Sequence, residues 1–295
     1  DLPDRVRRST AGRHTRGAPA DSGRTKIPAP ARVRIDGVGV APAGGSAAPS
    51  AVQLAADAAS ACLDRTGIDR SAVGLIVNSG IYRDEFLSEP AVAALVAGEL
   101  GINGDIDSPD GPKTLAFDVL NGAVGFLNAC QVAAEMIGAG KADHALVVAS
   151  EIENNPPDSG HPRTGISQTG SAILLSRSDG REGFGRFVFR YHPEHSGALA
   201  TYTQQTGGRA WLQVDRDPQL AGIYRSCIPP AAKELLARGF RVFGSVRQAA
   251  DAERLRAEFG PQLVPLVFDV TDEAAIARAA AEVRAALGGE PLFGL

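Results

Sequence analysis

Apolar positions along this chain switch between two periods, and each switch marks an element. From Ala31 they alternate through Val33, Ile35, Val38 and Val40 until Pro42 and Gly44-Gly45 break the pattern, which predicts a strand. Helical spacing follows at Val52, Leu54, Ala55, Ala58, Ala59, Cys62 and Leu63, with Ser50 as N-cap and Gly67 as stop. Further on, the pattern predicts a strand at 73–78, a helix at 89–100, a strand at 114–120 and a helix at 123–139. Strands at 145–150 and 171–176 come next, and Asp179-Gly180 turns the chain toward 184–191. This order is that of an α/β fold. The helix at 123–139 carries Val124, Phe126, Leu127, Ala129, Val132, Ala133 and Ile137 around its whole circumference, so it is expected to be buried.

Residues 192–225 show no clear period apart from a loop around Gly207-Gly208. After Pro229-Pro230 the pattern resumes, with a helix to Arg238, a stop at Gly239, a strand at 241–246 and a helix at 249–258. A strand at 263–269 and a helix at 272–287, with Thr271 as its expected N-cap, complete the tail. Residues 1–30 carry Arg5, Arg7, Arg8, Arg13, Arg16 and Arg24 among Pro, Gly and Ala with no apolar period. They read as a disordered basic leader. The expected organisation is therefore a leader at 1–30, a larger α/β unit at 31–237 and a strand-helix tail at 238–295. Met136 is the only methionine, and the chain ends as an apolar run begins at Phe293-Gly294-Leu295, so both ends are expected to be cut.

Charge and cysteine content narrow the classes. Lys+Arg 30 against Asp+Glu 34, a net charge of -4, gives no basic field for nucleic acid, so no such partner is expected. No apolar stretch reaches the roughly 18 to 20 residues that cross a bilayer, so no membrane partner is expected and the expected compartment is the cytoplasm. Cys62, Cys130 and Cys227 are widely spaced and odd in number, which suggests neither a disulfide framework nor a metal site.

The candidate chemistry lies in the run Phe117-Asp118-Val119-Leu120-Asn121-Gly122-Ala123-Val124-Gly125-Phe126. It reads as a strand, a tight Asn-Gly turn and a helix start, a place where backbone N–H groups and the helix dipole stabilise a thiolate. Ala123 stands there and offers no lone pair. Cys130 is seven residues on, about 10 Å along the helix, too far to replace a nucleophile at 123 without rebuilding the pocket. His192 and His195 read as surface or loop histidines.

This run, together with Gly37-Val38-Gly39-Val40, Gly74-Leu75-Ile76-Val77-Asn78-Ser79-Gly80, Tyr82-Arg83-Asp84, Ala149-Ser150-Glu151 and Gln168-Thr169-Gly170-Ser171-Ala172, resembles the ketoacyl-acyl-carrier-protein synthase III branch of the thiolase-like condensing enzymes. The resemblance spans about Ala31 to Arg238. It implies a thiolase-like N-terminal half, with acyl-CoA and acyl carrier protein as partners and no cofactor required. The implied activity is acyl transfer followed by decarboxylative condensation with a malonyl thioester, in fatty-acid or polyketide synthesis. It also implies that Ala123 occupies the place of the acyl-accepting cysteine, so this chain is expected to be inactive. The family's catalytic His and Asn belong to second-half segments that have no match here. A second implied reading is a noncatalytic dimerising or acyl-binding module, with a homodimer formed through the strand at 145–150.

The tail resembles a different family. Ala237-Arg238-Gly239-Phe240-Arg241-Val242-Phe243-Gly244-Ser245-Val246-Arg247 and Val267-Phe268-Asp269-Val270-Thr271-Asp272 are similar to the second and third strands of a short-chain dehydrogenase/reductase. That likeness implies an appended Rossmann-like strand-helix fragment, with Arg247 toward the 2′-phosphate of NADP and Asp269 and Val270 at the adenine. Cys227-Ile228-Pro229-Pro230-Ala231-Ala232 stands where the glycine-rich phosphate loop is expected and contains no glycine.

Overall fold

The computed structural model describes residues 32–42, 50–103, 113–155, 157–180, 183, 184, 187 and 189–290. The expected leader at 1–30 and the apolar run at 291–295 lie outside the described residues. The main body has five strands: β1 (Val33–Pro42), β2 (Val73–Asn78), β3 (Leu115–Asp118), β4 (His144–Glu151) and β5 (Thr169–Arg177). Three helices connect the first four: α1 (Ala51–Thr66), α2 (Val92–Glu99) and α3 (Gly125–Gly138). The sheet order is β1-β5-β4-β2-β3. Strands β4, β2 and β3 run parallel, and β5 is antiparallel to both β4 and β1.

Both faces of the sheet are covered, as parallel strands require. Helices α1 and α2 pack on one face against Val73, Ile76, Leu146, Val148, Ala172 and Leu174. Helix α3 packs on the other against Leu75, Val77, Ala145, Val147, Ile173 and Leu175. Glycine lets α1 approach this closely: a Cβ at Gly39 would stand 2.0 Å from the Ala58 carbonyl oxygen, and one at Gly170 would stand 2.0 Å from that of Leu54. The predicted caps of α1 are in place. Ser50 accepts from the Gln53 N–H, and Gly67 closes the helix at φ 69°.

Several expectations are corrected. Strand β4 lies between β5 and β2, with both edges hydrogen-bonded, so it cannot pair with a second copy; β1 and β3 are the edge strands. Helix α3 is buried on one side only: Ala129, Cys130, Ala133 and Ile137 are covered, while Val124 before it and Leu127 on it are 44% and 37% exposed, and the polar Asn128, Gln131 and Glu135 lie on that uncovered side. No described element packs over that side, and Ile35, Val38 and Val40 of β1 are exposed as well.

The segment at 192–225 contains a hairpin, β6 (Leu199–Thr206) and β7 (Arg209–Arg216), joined at Gly207-Gly208. Both glycines have positive φ, 58° and 80°, the backbone that a two-residue hairpin turn demands. Helix α4 (Leu220–Ala237) starts well before the prolines and carries Pro229 and Pro230 inside it. It buries no residue, so the carbonyls that the prolines leave without an N–H donor are open to water. The tail is β8 (Val242–Val246), α5 (Ala249–Phe259), β9 (Leu263–Val267) and α6 (Glu273–Leu287), with β8 and β9 parallel. Asp272 rather than Thr271 caps α6, its carboxylate accepting from the Ala275 N–H; the Thr271 hydroxyl is held by Asp269 instead.

Candidate functional site

The carboxyl ends of β2, β3 and β4 come together on one edge of the sheet, the place where open α/β sheets hold ligands. Each end carries a polar residue. Asn78 ends β2, where its amide closes a small loop by accepting from the Gly80 N–H at 3.0 Å and donating to the Gly80 carbonyl at 3.3 Å. Glu151 ends β4 and accepts from two consecutive N–H groups, Ile81 at 3.2 Å and Tyr82 at 2.8 Å. Burial pushes the Glu151 carboxyl above its ordinary value, against the pull of those two bonds and of Arg83.

Asp118 ends β3 and does the most. It accepts from Arg83 at 2.6 Å and from the N–H groups of Val92 and Ala93, each at 3.0 Å, so it caps α2 from another element. The side chains of Arg83 and Asp118 are 5% and 12% exposed. Arg83 also donates to the carbonyls of Leu87 and Gly80. The pair therefore ties the end of β3, the loop after β2 and the start of α2 to one point. In the sequence neither residue stands out as a partner of the other; the one signal is a carboxylate closing an otherwise apolar strand.

From Asp118 the chain passes through Leu120, 56% exposed, into the turn at Asn121-Gly122. Gly122 has φ 52°, and its carbonyl accepts from the Gly125 N–H at 3.0 Å, which makes the turn tight. The Asn121 side chain donates to Asn128 on the first turn of α3 at 2.7 Å. Ala123 sits on this turn, exposed, two residues before α3 begins at Gly125 rather than opening the helix itself. Its exposed neighbours Leu120, Val124 and Leu127 are apolar. Cys130 is fully buried on α3, and desolvation pushes its thiol up to about 12, so at neutral pH it is an inert core residue. Cys62 is also buried, with its thiol raised by burial. His192 is paired with Glu194 in a short turn, and neither it nor His195 is near these residues in any hydrogen bond.

A second buried acid anchors the loop after β4. Glu153, with its side chain 3% exposed, accepts from the N–H groups of Asn155, Thr164 and Gly165 and from the Thr164 hydroxyl, over 2.9 to 3.2 Å. Burial alone would raise its carboxyl, but these bonds outweigh burial and hold it below the ordinary value. Asn155 then docks the hairpin, accepting from the Leu212 N–H at 2.9 Å and donating to the Leu212 carbonyl at 2.8 Å. Glu153→Ala would strand four donors and is expected to cost about 2–3 kcal/mol. The sign with pH is definite. A depressed folded-state carboxyl contributes stability fully above the ordinary glutamate value of 4.5, and that contribution is lost as pH falls through the lower folded-state value. Urea midpoints measured from pH 6 to pH 3 should converge for the two proteins at the acid end.

In the tail, Arg247 follows β8 and Asp269 follows β9, neighbours at the carboxyl ends of adjacent parallel strands. Asp269 is held below its ordinary value first by the N–H and hydroxyl of Thr271, and further by the Arg247 charge. Val270 is 73% exposed beside them. The segment 227–232 lies within α4 and forms no turn.

Against solved structures, OleA from Xanthomonas campestris with bound cerulenin aligns at a TM-score of 0.58 and 19% identity, covering 90% of this chain and 93% of that one. A 3-oxoacyl-(acyl-carrier-protein) synthase III aligns at 0.60 and 16%, covering 86% and 92%. The fold is thiolase-like. Among curated proteins, the beta-ketoacyl-[acyl-carrier-protein] synthase III of Novosphingobium aromaticivorans is 32% identical over 172 residues, 57% of this chain and 47% of the relative. The acyl-CoA:acyl-CoA alkyltransferase of Xanthomonas campestris is 34% identical over 104 residues, 35% of this chain and 28% of the relative. The matched stretch is less than half the length of either. No family model matches the chain. The chain thus resembles condensing enzymes of the synthase III and OleA type, and no helix among the described residues is long and apolar enough to cross a membrane.

Proposed function

We propose that this chain descends from an acyl-transferring condensing enzyme of the synthase III type and has lost the capture step, leaving a noncatalytic acyl-binding unit. The single observation that carries the reading is Ala123: it sits on the tight turn that leads from β3 into α3, exposed, where a nucleophile could be presented and none exists. Cys130, the nearest thiol along the helix, is buried with its thiol at about 12 and supplies no thiolate in its place. Covalent capture divides acyl transfer into two easier steps, and a side chain without a lone pair cannot perform it. Partners on this reading are acyl-CoA and an acyl carrier protein, met at the exposed apolar side chains of Leu120, Val124 and Leu127. Intact-mass spectrometry after incubation with an acyl-CoA tests it: the expected spectrum shows no thioester adduct, and an adduct mapped to any residue of this chain would refute the loss.

A second reading concerns the tail. The juxtaposition of Arg247 with Asp269 at the ends of β8 and β9 favours an NADP-binding remnant of the short-chain dehydrogenase/reductase type. These residues fit the adenosine end of a dinucleotide, whereas the helical segment 227–232 presents no N–H cradle for the pyrophosphate. Binding is therefore expected to be weak and to depend on Arg247. Fluorescence titration with NADPH should saturate for the native chain and weaken about tenfold with Arg247→Ala; no saturable signal at millimolar cofactor would end this reading.

A further inference from the structure

Strands β8 and β9 form a two-stranded parallel sheet, paired from Val242↔Leu263 to Val246↔Val267. Hydrogen bonds at its two ends, Val242 N–H to the Gln262 carbonyl at 2.9 Å and Phe268 N–H to the Val246 carbonyl at 3.0 Å, fix which residues face inward. On β8, Val242, Gly244 and Val246 turn their backbone groups toward β9; Phe243 and Ser245 turn theirs to the outer edge. On β9 the outward residues are Leu263, Pro265 and Val267. Pro265 has no N–H, so the outer edge of β9 is interrupted at its centre, a common device against further pairing. The outer edge of β8 has no such block, and no described strand pairs with it.

We propose that β8 pairs edge to edge and antiparallel with β8 of a second copy of this chain. Identical strands related by a two-fold axis meet antiparallel, and each copy brings one open and one closed edge, so growth stops at a four-stranded sheet β9-β8-β8-β9 instead of running on as a fibre. The charges exclude one register. With Phe243 on the axis, Arg241 lies opposite Ser245 of the partner subunit, and no arginine faces another. A register centred on Gly244 would instead set Arg241 against Arg247 of the partner subunit and bring like charges together. A two-stranded sheet is marginal by itself, and pairing gives each copy a sheet of four.

Ser245→Pro removes one outward N–H and leaves the β8–β9 ladder intact, because Ser245 does not face β9. In sedimentation velocity on the full chain, the native protein should be a dimer at about 100 µM and Ser245→Pro a monomer with unchanged far-ultraviolet circular dichroism. As a second measure on the native protein, amide exchange at Phe243 and Ser245 should slow about tenfold or more between roughly 1 and 100 µM. That readout stands even if the proline variant fails to fold. A native chain that is monomeric throughout, or a dimer that survives Ser245→Pro with exchange at these amides independent of concentration, overturns the proposal.

Discussion

Ala123→Cys is expected to introduce a thiol that iodoacetamide alkylates on the order of a thousandfold faster than Cys130 at neutral pH. The magnitude follows from thiolate fractions. Cys130 is buried with its thiol at about 12, so almost none of it is ionised, whereas an exposed thiol keeps a value near the ordinary cysteine range. The location adds to the difference. Position 123 is exposed on a tight turn two residues before α3, whose amino-terminal end favours negative charge. Peptide mass mapping after a brief alkylation should find the label at 123, with Cys62 and Cys130 unmodified. A thiol at 123 that reacts as slowly as Cys130 would show that the turn does not present its side chain, and the lost-nucleophile reading would fail with it. The experiment separates the seat from the chemistry: a reactive thiol that still takes no acyl group from acyl-CoA points to missing partners for the thioester carbonyl, not to a closed turn.

Much of the main body could be read from local pattern, because local pattern produced it. Ser50 and Gly67 bracket α1 through hydrogen bonds that span at most four residues, and Gly122 takes the left-handed backbone its turn needs. The misreadings come from non-local partners. Strand β4 has the apolar run of a strand able to pair with another chain, but that run is buried because β5 and β2 bond to both its edges, which no period within 145–150 reveals. The circumference of α3 suggested full burial, whereas one side has no described element to cover it. In β6 the less exposed positions hold Ala200, Tyr202 and Gln204, and in β7 only Leu212 is buried, so the apolar alternation is weak; the Gly207-Gly208 pair between two eight-residue runs was the remaining signal. At the site, the Asn121-Gly122 turn was legible, although Ala123 lies on it two residues before α3 and does not open the helix. The Arg83–Asp118 pair was not, since residues 35 apart in sequence meet only once β2 and β3 lie side by side.

That pair should be the costliest to break. Asp118→Ala is expected to destabilise the chain by about 3–5 kcal/mol, because it leaves a guanidinium that is 5% exposed without its counter-charge and also removes the acceptor for two N–H groups at the start of α2. Arg83 retains the carbonyls of Leu87 and Gly80, but neutral acceptors do not repay the desolvation of a full charge. Arg83→Met fills similar volume and leaves a carboxylate that still accepts from Val92 and Ala93, so its loss should be smaller. The double variant Arg83→Met with Asp118→Ala removes both charges together and should be more stable than Asp118→Ala alone, as expected when an uncompensated buried ion dominates the cost. Equilibrium urea unfolding of the three variants measures this directly. Additive losses across the cycle would mean that the two side chains act independently, and the strand ends would then owe their alignment to the apolar layers on either face of the sheet rather than to this ion pair.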